Sequence, residues 1–131
     1  LEHSGLREAL EKMIEETMQV SDVKIDYECQ VDTLKFNQDE EDMIYRVVQE
    51  SITNAIRHGE AKYIEVRLWK ENKWLNLVIK DNGIGCEEIH TGFGLIHIEE
   101  RIKMLQGTVE YDGSDGFKVT ARIPIRWGEK L

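Results

Sequence analysis

Glu50, Asn54 and His58 recur at intervals of four in the string Glu50-x-x-x-Asn54-Ala55-x-x-His58. Two glycine pairs follow in fixed order, Asp81-x-Gly83-x-Gly85 and then Gly92-x-Gly94-Leu95. The asparagine offers a neutral hard oxygen, suited to one place in an octahedral Mg²⁺ shell that keeps several waters. Glu50, one helical turn earlier, can order a metal-bound water or act as a base. Asp81 comes directly after Leu77, Val78, Ile79 and Lys80, where a strand leaves its sheet, and its carboxylate can accept a hydrogen bond from an exocyclic amino group. Gly83 and Gly85 let backbone approach a flat ligand closely. Gly92 and Gly94 lead into a helix whose free N–H groups and positive dipole end favour phosphate. These are the parts needed to hold a nucleotide without a Walker loop, and ATP is the reading they favour.

Each motif also has a plainer explanation. Steps of four residues advance only about 40° around a helix. Ile44, Val47, Val48, Ser51, Ile52 and Ala55 therefore form one stripe, with Glu50, Asn54 and His58 in a row along its edge. That row is where a pocket wall is expected, and equally where an ordinary solvated helix edge would place polar residues. His58 by itself reads as a helix-end histidine near the negative end of the dipole rather than a catalyst. Asp81-Asn82-Gly83 by itself is also a turn sequence.

The elements that must position these residues follow from periodicity. Residues 5–18 carry Leu6, Ala9, Leu10, Met13 and Ile14 at helical spacing. Val23, Ile25 and Tyr27 alternate with polar residues as a half-buried strand. A longer helix spans 39–58 and stops at Gly59, a candidate C-terminal cap. Residues 62–69 and 74–80 read as an antiparallel hairpin. A third helix bears Leu95, Ile98, Ile102 and Leu105 and ends at Gly107, and strands 108–112 and 117–125 flank a glycine-rich turn. The pattern predicts a single domain over residues 1–131 of α+β class. It is a two-layer sandwich, with a mixed, mostly antiparallel sheet of about five strands and three helices on one face.

Composition narrows the partners. A chain of 131 residues buries one core, and its 40% hydrophobic and 33% charged residues are those of an ordinary globular domain. A formal net charge of −9 argues against nucleic acid. No apolar run approaches the roughly 20 residues of a membrane helix, so no membrane contact by this domain is expected. Cys29 and Cys86 fall in different predicted elements, which disfavours a disulfide scaffold and fits a reducing cytoplasmic setting. There is no Gly-Lys-Ser/Thr, and Gly83-x-Gly85 lacks both the third glycine and the βαβ setting of a dinucleotide fingerprint.

Gln49-Glu50-Ser51-Ile52-Thr53-Asn54-Ala55-Ile56-Arg57-His58 resembles the N box of the Bergerat-fold (GHKL) ATPases. Asp81-Asn82-Gly83-Ile84-Gly85 and Thr91-Gly92-Phe93-Gly94-Leu95 resemble their two glycine boxes. The run Gly94-Leu95-x-x-Ile98-x-Glu100-Arg101-x-x-x-Leu105-x-Gly107 is similar to two-component sensor histidine kinases, especially those of NarX and DesK type.

The resemblance implies that Asn54 ligates Mg²⁺ with support from Glu50, and that Asp81 reads the adenine amino group. Gly83 and Gly85 would shape the base pocket. Gly92, Gly94 and the Leu95 amide would cradle phosphates, with Arg57 or His58 reaching them too. Residues 86–91 would be a short lid over ATP. One position departs from the pattern, because Phe117 stands after Gly116 where the family usually has threonine.

The implied activity is donation of the γ-phosphoryl group of Mg-ATP to a histidine on the dimerisation helices of a parent kinase, for relay to a response regulator. None of His3, His58, His90 and His97 lies in an acceptor context, so the acceptor and the sensor are expected outside this chain, with any membrane anchor expected in the parent protein. The domain alone is expected to bind ATP with little turnover. Two alternatives stay open: an anti-sigma-factor serine kinase of the same fold, and a non-catalytic nucleotide-binding interaction module.

Overall fold

The computed structural model describes residues 5–31, 36–85 and 95–125. Three helices, α1 (Gly5–Val20), α2 (Gln38–Arg57) and α3 (Leu95–Met104), accompany five strands among these residues. The strands are β1 (Lys24–Gln30), β2 (Tyr63–Glu71), β3 (Trp74–Asp81), β4 (Thr108–Asp112) and β5 (Phe117–Pro124). They form one sheet in the order β1-β2-β3-β5-β4. The β1–β2 pair is parallel and the other three are antiparallel, so the sheet is mixed and mostly antiparallel as expected.

Alternation decides which face is covered. Ile25 and Cys29 on β1, Ile64, Val66 and Leu68 on β2, Leu75, Leu77 and Ile79 on β3, and Val119, Ala121 and Ile123 on β5 point into one core. The helices bury Leu6, Leu10, Ile44, Val47, Val48, Ile52, Leu95, Ile98 and Ile102 against them. The other face carries Asp26, Glu65, Arg67, Lys80, Lys118 and Arg122. That asymmetry is what period-two alternation produces when one sheet face meets helices and the other meets water.

The site depends on α2, and local chemistry fixes where it starts. Asn37 accepts from the Glu40 N–H at 2.8 Å while Glu40 accepts from the Asn37 N–H at 3.0 Å, a reciprocal capping box. The buried stripe of α2 contains all six residues expected from spacing, and Glu41 as well. At its other end the left-handed residue is Glu60 (φ 53°), not the expected Gly59. Gly59 serves a different purpose. Its carbonyl accepts the Ile84 N–H at 2.8 Å, which docks the glycine segment after β3 onto the end of α2. No helix among the described residues is long and apolar enough to cross a membrane.

Candidate functional site

A cavity of about 110 Å³ opens between the end of α2, the end of β3, the start of α3 and the start of β5. Of the residues expected from sequence, Asn54, His58, Asp81, Gly85 and Leu95 line it. Motifs separated by up to about forty residues in sequence thus meet around one space. Gly92 and Gly94 lie outside the described residues.

Asp81 is the fixed point. It is 4% exposed and ends β3, paired across to Ile64 and Phe117. Its Oδ1 accepts the Gly83 N–H at 2.7 Å and the Phe117 N–H at 3.2 Å. Both bonds fall on one oxygen, so Oδ2 has no partner among the described residues and is available to a ligand. Burial raises the carboxyl pKa, and the two backbone N–H bonds and Lys80 only partly oppose it. A carboxylate oxygen placed this way can accept a hydrogen bond from an N–H donor.

Gly83 does not itself line the cavity. Its role is close approach, because a Cβ there would run into the Gly59 carbonyl. Gly85 lies in the left-handed region at φ 68° and packs against the Gly113 and Gly116 carbonyls, so only glycine fits without strain. Asn82 completes the turn, its side-chain oxygen accepting the Lys62 and Tyr63 N–H groups at 3.0 Å each.

Asn54 contributes a side-chain amide whose Nδ2 is buried without a hydrogen-bond partner. An unsatisfied amide in a pocket wall fits a group whose partners arrive with a ligand. Among the described residues no cluster of three His, Cys, Asp or Glu side chains could hold a metal alone. A cation at Asn54 would have to take the side-chain oxygen, since the orphan Nδ2 is a donor.

Glu50 and Arg57 stand apart from the cavity. Arg57 is exposed. Glu50 turns toward α3, where its Oε1 accepts from Arg101 at 2.6 Å and its Oε2 lies 3.4 Å from His97 Nδ1. Sequence reasoning did not anticipate these partners, although Arg101 belongs to the same α3 pattern that carried the resemblance. The cavity also has apolar walls from Ala55, Ile84 and Phe117, of which sequence reasoning marked only Phe117, as the departure from the family pattern. Ile84, to which the glycine box assigns no role, lines the cavity and is 71% exposed.

Comparison with known proteins agrees with this geometry. Residues 39–126 match the family model described as histidine kinase-, DNA gyrase B- and HSP90-like ATPase. The chain is 32% identical to an uncharacterized sensor-like histidine kinase of Chloroflexus aurantiacus, over 95% of this chain and 23% of that one. It is 30% identical to the sensor histidine kinase LiaS of Bacillus subtilis, over 99% of this chain and 37% of the relative. The chain thus spans well under half the length of these curated relatives.

Among solved structures, the blue-light activated histidine kinase of Erythrobacter litoralis EL346 superposes with a TM-score of 0.80 at 18% identity, over 97% of this chain and 44% of that one. The ATP binding domain of PrrB from Mycobacterium tuberculosis superposes at 0.71 and 17% identity, over 92% and 93%. At these identities the superpositions speak for the fold.

Proposed function

The chain belongs to the histidine kinase-, DNA gyrase B- and HSP90-like ATPases, and from that premise we propose that it is the ATP-binding catalytic domain of a sensor histidine kinase. In this reading it binds Mg-ATP and presents the γ-phosphoryl group to a histidine on dimerisation helices outside residues 1–131. A response regulator then receives the phosphoryl group. The observation that carries the reading is Asp81, a buried carboxylate with one oxygen locked by two backbone N–H groups and the other facing a cavity walled by Asn54, His58, Leu95 and Phe117.

Each residue has a share in the mechanism. Asp81 Oδ2 accepts the adenine amino group and sets the base in register. Gly85 brings backbone close to the purine plane, and Gly83 lets this segment pack on the end of α2. Asn54 offers its amide oxygen to Mg²⁺, which when bound neutralises phosphate charge. The first N–H groups of α3, beginning at Leu95, face the phosphate end through the helix dipole. Glu50, held by Arg101, supports the α2–α3 side of the site. Positioning and charge neutralisation suffice for phosphoryl transfer, so no nucleophile is needed within the chain. The work takes place on the cytoplasmic side, with any membrane anchor in the parent protein.

The test mixes this chain with the parent's dimerisation helices and γ-labelled ATP. Label on the helices that is acid-labile and base-stable supports histidine phosphorylation. Acid-stable label would move the reading to a serine kinase of the same fold.

A further inference from the structure

The cavity has an aromatic wall whose placement is over-determined. Phe117 opens β5, and its N–H donates to Asp81 Oδ1 at 3.2 Å, so its backbone is bonded to the very carboxylate that faces the ligand. Its ring lines the same cavity and stacks on Tyr111 of β4, with centroids 5.9 Å apart and planes inclined by 26°. The Tyr111 hydroxyl in turn donates to the Leu95 carbonyl at 3.3 Å, and Leu95 is another wall of the cavity. Tyr111 does not line the cavity itself, yet it touches two residues that do. Burial and the neighbouring Glu99 carboxylate push its phenol pKa well up, so the hydroxyl keeps its proton and remains a donor.

We propose that Phe117 is an affinity-determining contact for the base, its ring giving the purine a stacking face, and that Tyr111 is the positioning residue that holds this face and Leu95 at fixed separation. The inference rests on the adenine-nucleotide reading and deepens it. Asp81 and Phe117 divide the recognition between them. The carboxylate selects an amino group at one edge of the base, while the ring contributes face contact that any planar base can use. The backbone bond between the two residues ties edge and face to one geometry. Affinity for the base should then depend on the ring, and discrimination among bases on the carboxylate.

Titration calorimetry of the whole chain with ATP and with adenosine separates the base from the phosphates. Phe117→Leu should weaken both ligands by the same factor, about tenfold, because the lost contact is with the base alone. Tyr111→Phe keeps the ring stack but removes the bond to Leu95, and should weaken both by a smaller factor. Phe117→Trp keeps an aromatic face and adds an indole at the cavity. Its fluorescence, taken as the difference from the parent, should change on adding adenosine, and its affinity should stay near the parent's.

Parent-like adenosine binding by Phe117→Leu would overturn the proposal. If that variant does not fold, an indole signal in Phe117→Trp that ignores saturating adenosine overturns it instead. Failure of the unaltered chain to bind either ligand would remove the nucleotide reading itself, and the proposal with it.

Discussion

Glu50 on α2 and Arg101 on α3 form an ion pair of 2.6 Å, each side chain 28% exposed, with His97 on the far oxygen of the carboxylate. This pair bolts the helix that carries Asn54 to the helix that begins at Leu95. Two walls of the cavity are therefore joined outside it, and the Tyr111 hydroxyl of β4 holds the Leu95 carbonyl at the start of α3.

A double-mutant cycle measures that bolt. Glu50→Gln and Arg101→Met should each destabilise the fold, and the double variant should lose less than their sum. A coupling of about 0.5–1 kcal/mol is expected for a partly exposed pair, shrinking in high salt. Urea denaturation of the four chains gives the number. Strict additivity would mean that the contact contributes nothing to joining the helices.

Asp81→Asn separates affinity from stability. Asparagine keeps an oxygen for the Gly83 and Phe117 N–H groups but turns an NH₂ toward the ligand, where it opposes an exocyclic amino donor. ATP affinity should fall about ten- to a hundredfold, as for loss of a charge-assisted hydrogen bond. The melting temperature should hold or rise, since the variant removes a buried charge. Calorimetry with ATP and thermal unfolding check the two halves, and a fall in both would point to a merely structural carboxylate.

The same carboxyl gives a pH dependence with a defined sign. Its pKa in the fold is raised above the ordinary 3.8, chiefly by burial. The ionised form is thus disfavoured by folding, and its cost is full above the folded pKa and gone below the unfolded one. The stability advantage of Asp81→Asn over the parent should therefore be present at neutral pH and fade as pH falls through the folded pKa toward 3.8. ATP binding needs the ionised form, so affinity should begin to drop at a higher pH than an unperturbed aspartate would give. Calorimetric titrations at several acidic pH values follow the drop, which should be missing in Asp81→Asn.

Much of this architecture is legible in the sequence because it depends on local rules. The six-residue stripe of α2, the alternation of β2 and β3 and the apolar face of α3 follow from periods of 3.6 and 2, and all appear in the fold. The positions of Asn54 and Asp81 at one cavity follow from motifs tied to element ends. What was not legible depends on approach between distant segments. Gly59 looks like a helix cap in sequence, but its carbonyl is what Gly83 must approach, and that close approach requires a glycine at 83. Glu50 looks like a site residue, and its partner Arg101 is 51 positions away. Phe117 looks like a mere departure from a pattern until Tyr111 is seen stacked behind it.

Gly83→Ala tests the approach of the glycine segment to α2. A Cβ there meets the Gly59 carbonyl, which already accepts the Ile84 N–H at 2.8 Å, so backbone must move. The cost should be about 1–3 kcal/mol, typical of overpacking a close contact. It appears as a lower urea midpoint at unchanged slope. Because Gly83 also donates to Asp81, ATP affinity should fall alongside. A variant as stable as the parent would show that the two segments part at no cost.

Asn54→Ala tests the metal. Removing the side chain deletes an amide whose buried Nδ2 has no partner, so the fold should lose little and could gain stability. The expected loss is in Mg²⁺ dependence. The parent should bind ATP more tightly with Mg²⁺ than with a chelator, and Asn54→Ala should show most of that difference erased. Base contacts remain in the variant, so its chelator-condition affinity should match the parent's. Paired calorimetric titrations with and without Mg²⁺ report both values. If Asn54→Ala kept the full Mg²⁺ effect, Asn54 would not be the metal ligand.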